Sequence, residues 1–191
     1  MFQAGYLTIV SSNLRYGKLF YKLTYPNQEV KASLNDYILN HYSSSISTKE
    51  ALQIRLIEVL ERVELDKLRE IIQSHFASIP HSWYRNNDIE GYEGYYSSVF
   101  YSYFASLGLN IRPEDITNYG NIDMTVVMNH GVFIFEFKVI EGDNEIGTAL
   151  QQIKDKNYAD KYRGLSLPIY LIGIDFDITK RNISSFKWES L

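Results

Sequence analysis

Apolar and polar positions are most clearly patterned between residues 120 and 140. Gly120-Asn121-Ile122-Asp123-Met124-Thr125-Val126-Val127-Met128 is followed by Asn129-His130-Gly131, then by Val132-Phe133-Ile134-Phe135-Glu136-Phe137-Lys138-Val139-Ile140. The β-branched and aromatic residues predict two strands, and the Asn-His-Gly cluster predicts a hairpin turn between them. Strand side chains alternate between faces. Phe133, Phe135, Phe137 and Val139 therefore share one face, and Val132, Ile134, Glu136, Lys138 and Ile140 the other. In the first strand, Asp123 lies opposite to Ile122, Met124, Val126 and Met128. A two-residue loop at His130-Gly131 would set Asp123 across from Lys138. A loop at Asn129-His130 would set it across from Glu136. Both registers bring Asp123, Glu136 and Lys138 within side-chain reach on one face.

The rest of the chain supplies elements around this hairpin. Gly5-Tyr6-Leu7-Thr8-Ile9-Val10 and Lys18-Leu19-Phe20-Tyr21-Lys22-Leu23 read as strands about a polar turn. Asn27 is a candidate N-cap for a helix over 29–42. The serine-rich run 43–48 reads as a loop, with Ser47 or Thr48 capping the helix that carries Ala51, Leu52, Ile54, Leu56, Val59 and Leu60. A further helix is predicted over 64–76, ending before Ile79-Pro80. The aromatic run 92–107 predicts a helix stopped by Gly108, with Glu93, Tyr96, Phe100, Phe104 and Leu107 on the face that packs on the sheet. Residues 109–118 predict a short strand or connector broken by Pro113. Asp143 or Asn144 can cap a helix running to about Tyr162, with Ile146, Ala149, Leu150 and Ile153 as its apolar stripe. Gln152 and Lys156 lie along one edge of that stripe. Residues 168–175 form a near-continuous apolar strand, expected inside the sheet. Residues 183–188 suggest a last, edge strand.

Composition narrows the chemistry. The chain has 191 residues and is 45% hydrophobic, enough for a sizeable core. It has no cysteine, which excludes disulfides and thiolate metal sites. No apolar run is long enough to span a membrane and no signal peptide opens the sequence, so a cytoplasmic protein is expected. The net charge of −4 means that binding to nucleic acid would need a local basic patch. The 16 Tyr and 10 Phe are read first as core and boundary packing, before base stacking. His41, His75, His81 and His130 have no metal-ligand spacing and read as ordinary boundary histidines. No Gly-x-Ser-x-Gly elbow supports acyl transfer. Two carboxylates side by side repel, so Asp123 and Glu136 point either to a divalent cation with oxygen ligands or to an acidic pair balanced by Lys138.

Asp123, then Glu136-Phe137-Lys138, resembles the core motif of the PD-(D/E)XK nuclease superfamily. The resemblance implies an α/β fold: a restriction-endonuclease-like αβββαβ core with a mixed central sheet flanked by helices. It divides the chain into a small, mostly helical N-terminal segment, 1–80, and a nuclease-like domain, 81–191. Gly5-Tyr6-Leu7-Thr8-Ile9, Tyr25-Pro26-Asn27-Gln28-Glu29-Val30 and Phe76-Ala77-Ser78-Ile79-Pro80 look like the region joining the two halves of bacterial proteins in which an AAA-like ATPase precedes a PD-(D/E)XK domain. No Gly-x-x-x-x-Gly-Lys phosphate loop occurs, so the chain is expected to be a piece or a stand-alone tail of such a protein, without ATP hydrolysis.

The resemblance further implies Mg²⁺, with Mn²⁺ as a substitute, held by Asp123, Glu136, Glu93 and the Phe137 carbonyl. Glu90 competes with Glu93 for that place. Lys138 would orient or deprotonate the attacking water and offset phosphate charge. Gln152, which matches the glutamine of the family's second core helix, would hold a water or a phosphate oxygen, with Lys156 near the phosphate. The family commonly has Gly-Arg-Ile-Asp where this chain has Gly120-Asn121-Ile122-Asp123, so one cation near the site is lost. The implied function is metal-dependent hydrolysis of phosphodiester bonds in nucleic acid, DNA before RNA, with an ATPase domain or subunit as partner. A second function of another class is a non-catalytic nucleic-acid-binding or assembly module on the same fold.

Overall fold

The computed structural model describes residues 3–42, 46–79, 93–141 and 146–191. Thr8–Arg15 (β1) and Lys18–Thr24 (β2) pair antiparallel as a separate two-stranded sheet. Gln28–Tyr42 (α1) follows, entered through Asn27, whose side-chain oxygen accepts the Val30 N–H at 2.8 Å. Ile46–Glu61 (α2) and Leu65–Ala77 (α3) come next. Ile46, Ser47 and Thr48, expected in a loop with Ser47 or Thr48 as the cap, belong to α2 itself, and the rest of that stretch, 43–45, lies outside the described residues.

The remaining elements build the larger sheet. They are Glu93–Ser106 (α4), Asn110–Thr117 (β3), Gly120–Met128 (β4), Gly131–Ile140 (β5), Thr148–Asp155 (α5), a 3₁₀ helix over Tyr158–Leu165, Ile169–Asp177 (β6) and Asn182–Ser190 (β7). The five strands lie in the order β3-β4-β5-β6-β7. All neighbours are antiparallel except β5 and β6, which are parallel and joined through α5. This is the α/β, αβββαβ restriction-endonuclease-like core, a mixed sheet flanked by helices, with β7 added at the far edge.

Side-chain alternation on β5 sorts the two layers. Phe133, Phe135 and Phe137 join Tyr96, Phe100 and Phe104 of α4 in one core. Phe100 lies 5.5 Å from Phe135 and 5.0 Å from Phe137 between ring centroids. Leu56, Leu60, Leu65, Leu68, Ile72 and Phe76 of α2 and α3 extend the same core. On the other face Val132 and Ile134 pack with Leu150 and Ile153 of α5, Tyr158, Tyr162, Ile169 and Leu171.

Local chemistry overrides the sequence pattern in several places. Pro113 does not break its strand, because β3 is an edge strand and tolerates a residue without an N–H. The helix expected to reach Tyr162 stops at Lys156: Asn157 adopts a left-handed conformation (φ 48°) and the chain continues as the 3₁₀ helix. Ile146 precedes α5 and is exposed rather than part of its stripe. Asp143 and Asn144, expected to cap this helix, lie outside the described residues. Alternation placed Ile122 with Met124 and Val126, yet Ile122 packs with α5 and the other two with α4. The β3–β4 register runs Pro113–Met124, then Asp115–Ile122, and the intervening Glu114 is left-handed (φ 47°). The strand pair therefore turns over at Asp123.

Candidate functional site

The hairpin turn selects one of the two expected registers. Met128 pairs with Gly131, so the loop is Asn129-His130. The ladder runs back to Met124–Phe135 and ends there, while β5 continues beside β6 to Ile140–Asp177. Asp123 and Glu136 stand one step beyond the last β4–β5 pair. There the Asp123 carboxylate accepts the Phe137 N–H at 2.7 Å, a bond to the main chain where a ladder bond would otherwise lie. β4 leaves β5 at this point, with both acids just past the end of the ladder. Asp123 is half-buried and Glu136 only 1% exposed.

Helix α5 closes the site from the face of Glu136. Its Gln152 Nε2 donates to Glu136 Oε1. Two features bring the helix so close. Gly173 of β6 is the register partner of Glu136. A Cβ on Gly173 would lie 2.1 Å from the Leu150 nitrogen and 2.6 Å from its Cα, so only glycine lets the helix backbone sit on the sheet here. Asp175, two residues on and wholly buried, accepts the Gly147 N–H at 2.5 Å and the Ala149 N–H at 3.1 Å. The cap of α5 is thus a strand carboxylate from outside the helix, and it satisfies N–H groups that the helix cannot.

Lys138 is half-buried two residues beyond Glu136, with Asp175 as its neighbour in the parallel ladder. Lys156 is exposed at the end of α5. Glu93 opens α4, which packs on the sheet face opposite to α5. Its side chain, and all of Glu90, lie outside the described residues. Asp123, Glu136, Gln152 and the Phe137 main chain come together.

Tyr158 is the member that the sequence pattern missed. It is 2% exposed, and its hydroxyl donates to the Asn121 carbonyl at 2.8 Å. Burial raises its pKa, and the charges of Glu136 and Asp123 push the same way, against a hydrogen bond with Gln152. The hydroxyl is thus within hydrogen-bond reach of Gln152 as well as of Asn121. Gly120 belongs to the same contact, since a Cβ there would meet the Tyr158 hydroxyl at 3.1 Å. The available signal was Asn157, a residue that readily turns left-handed, placed just before a tyrosine.

His75 lies far from this chemistry, edge-on to Tyr103 at 4.2 Å, and burial lowers its pKa to about 4. His130 sits in the hairpin turn with Nε2 3.1 Å from the Leu60 carbonyl oxygen. His41 and His81 have no described side chain.

The donor set suits a hard divalent cation. It is carboxylate oxygen, with neither sulfur nor imidazole, and burying an acid as deeply as Glu136 is costly without compensating charge or hydrogen bonds. Among the described residues no third His, Asp or Glu joins the pair. The two carboxylates could hold such a cation.

A family model described as PD-(D/E)XK nuclease superfamily matches residues 91–186, from just before α4 into β7. A protein of Azotobacter chroococcum mcd 1, described as an uncharacterized protein in the vnfD 5' region, is 50% identical over 191 residues. That match covers 100% of this chain but 37% of the relative, so the chain spans little more than a third of that protein's length. No solved structure matches the chain significantly.

Proposed function

This chain belongs to the PD-(D/E)XK nuclease superfamily, and on that premise we propose that it hydrolyses phosphodiester bonds in nucleic acid, DNA foremost, with Mg²⁺ or Mn²⁺ as cofactor. One observation carries the reading: Asp123 and Glu136 stand at the place where β4 parts from β5, Asp123 bonded to the Phe137 N–H and Gln152 of α5 to Glu136. Asp123 and Glu136 would hold the cation, with the Phe137 carbonyl and Glu93 as further candidates. When bound, such a cation polarises the phosphate and favours ionisation of water.

The protein's own groups then divide the work. Gln152 fixes the rotamer of Glu136, which keeps a buried carboxylate aimed at the opening. Lys138 lies on the same face two residues on, in reach of a water beside the carboxylates. It would orient that water and offset the charge of the phosphate. Tyr158 adds a hydroxyl at the same edge and excludes solvent behind Gln152. An ATPase domain or subunit as partner is part of the proposal.

A nicking assay tests it. Supercoiled plasmid and a single-stranded RNA are incubated with the protein and Mg²⁺, Mn²⁺ or EDTA. Metal-dependent cleavage that disappears in Asp123→Ala supports the reading. Equal cleavage by the variant assigns the activity to a contaminant. The net charge of −4 favours a second reading, a non-catalytic binding or assembly module. Metal-independent nucleic-acid binding without cleavage would select it.

A further inference from the structure

The small sheet at the front of the chain is amphipathic. The pairs Ile9–Leu23, Ser12–Tyr21 and Leu14–Leu19 stand on one face. Thr8–Thr24, Ser11–Lys22, Asn13–Phe20 and Arg15–Lys18 stand on the other. The first face is aliphatic with one tyrosine and one serine, and the second is polar and basic with one phenylalanine. The register shifts between Ile9 and Ser11, so Val10 is an extra residue in the strand. Were Val10 paired in a regular ladder, Ile9 would fall on the polar face; the bulge keeps Ile9 in phase with Leu14.

That apolar face is uncovered. Every residue of β1 and β2 is exposed. On the apolar face Ile9 is 42% exposed, Leu14 69%, Leu19 53%, Tyr21 54% and Leu23 41%. A lone two-stranded hairpin is marginal in water and needs a surface to pack on. Four of its six side chains, Ile9, Leu14, Leu19 and Leu23, are aliphatic and offer nucleic acid neither hydrogen bonds nor stacking, which favours a protein surface.

Area decides which protein surface. Seven residues of two strands make a face of roughly 25 by 10 Å, or about 250 Å². Two copies meeting face to face would bury about 500 Å², well short of the ~1,200 Å² of a stable free interface. The same patch suffices when the partner is tethered, because a linker supplies an effective concentration in the millimolar range. The relative from Azotobacter chroococcum supplies the length such a partner needs, since this chain accounts for 37% of it.

We propose that the Ile9/Leu14/Leu19/Tyr21/Leu23 face of the β1–β2 hairpin is an intramolecular docking surface. Its occupant is an apolar face of a further domain carried on the same polypeptide, for which the relative's extra length leaves room. The polar face, with Arg15, Lys18 and Lys22, stays outward. This inference rests on the hairpin and on the relative's length, and holds whether or not the carboxylate site cleaves nucleic acid.

Hydrogen exchange by mass spectrometry tests it, comparing the complete encoded polypeptide with the 191-residue chain. Amides of residues 8–24 should exchange at least ten-fold more slowly in the complete polypeptide. The double substitution Leu19→Asp, Tyr21→Asp should remove that protection. In the 191-residue chain the same pair should leave the melting temperature unchanged, because neither side chain is buried there. Four results overturn the proposal: equal exchange of 8–24 in both proteins; a reading frame that closes with these 191 residues; a 191-residue dimer that the double variant dissociates; and protection of 8–24 in the 191-residue chain by added DNA.

Discussion

The Asp123 carboxylate accepts the Phe137 N–H at 2.7 Å, one residue beyond the last β4–β5 ladder pair. A single side chain thus closes the sheet where the strands part, one residue along β5 from Glu136. The two roles separate by substitution. Asp123→Asn keeps an oxygen for the Phe137 N–H and removes the charge; Asp123→Ala removes both. We expect the Asn variant to melt within a few degrees of wild type in EDTA. The Ala variant should lose about 1–3 kcal/mol, the cost of stranding a buried donor. Wild type should gain melting temperature with Mn²⁺ through binding to the native state, and both variants should lose that gain. A full Mn²⁺ shift in Asp123→Asn would remove this residue from the cation site.

Gly173→Ala probes the approach of α5. The new Cβ would press on Leu150 main-chain atoms, which cannot turn aside as a flexible side chain can. The helix must move outward, at a cost of about 1–3 kcal/mol or more. Gly164 has no atom within 4 Å of its would-be Cβ and keeps an ordinary φ, so Gly164→Ala is the control, expected to be neutral. Urea denaturation of the two variants measures the difference. Equal midpoints would mean that α5 is not seated on Gly173.

Asp175→Ala removes the cap of α5. Two N–H groups, of Gly147 and Ala149, then lose their acceptor, and the Thr148 hydroxyl loses a weaker contact at 3.4 Å. We expect a loss of about 1–3 kcal/mol and faster hydrogen exchange over Thr148–Asp155. Asp175→Asn retains an acceptor and should fall between the two. Unchanged exchange over α5 in the Ala variant would show that the helix start is held by packing alone.

His75 gives the fold a pH dependence of known sign. Its pKa falls from 6.5 in the unfolded chain to about 4 in the fold, through burial. Between those values the unfolded chain binds the proton and the native protein does not. The contribution is therefore intact above pH 6.5, is lost as the pH falls from there towards 4, and stays constant below. Melting temperatures at pH 7 and pH 4.5 should differ more in wild type than in His75→Phe. Equal differences would mean that the ring is hydrated in the native state.

The sequence foretold the hairpin, the aromatic helix, the interior strand 168–175 and the nearness of Gln152 to Glu136, because each announces itself by period or by charge. It left the register open, since two turns fit Asn129-His130-Gly131 equally well. It misjudged what depends on neighbours far along the chain. The cap of α5 is Asp175, 28 residues beyond Gly147. The face of Ile122 depends on a left-handed Glu114 across the ladder. Tyr158 enters the site through a turn at Asn157 that helical periodicity runs straight across. The exposed face of β1–β2 reads as ordinary strand alternation until its side chains are found uncovered among the described residues.

Lys138 separates catalysis from simple charge balance. It stands two residues from Glu136 on one strand, on the same face, beside Asp175 in the parallel ladder. If it orients water at the carboxylates, Lys138→Ala should keep the fold and Mn²⁺ affinity yet lose most cleavage, on the order of 10²- to 10⁴-fold. Lys138→Arg should recover little, because a guanidinium carries the charge with a different shape and donor geometry. If Lys138 only balances Asp123, Glu136 and Asp175, its removal should lower the melting temperature in EDTA, as clustered carboxylates lose their counter-charge. Bound Mn²⁺ would then restore the stability, and Lys138→Arg would behave like wild type. Cleavage rate and melting temperature of the three proteins, with and without Mn²⁺, tell the cases apart. A stably folded Lys138→Ala protein that cleaves at the wild-type rate would end the catalytic assignment of this lysine while leaving the carboxylate site intact.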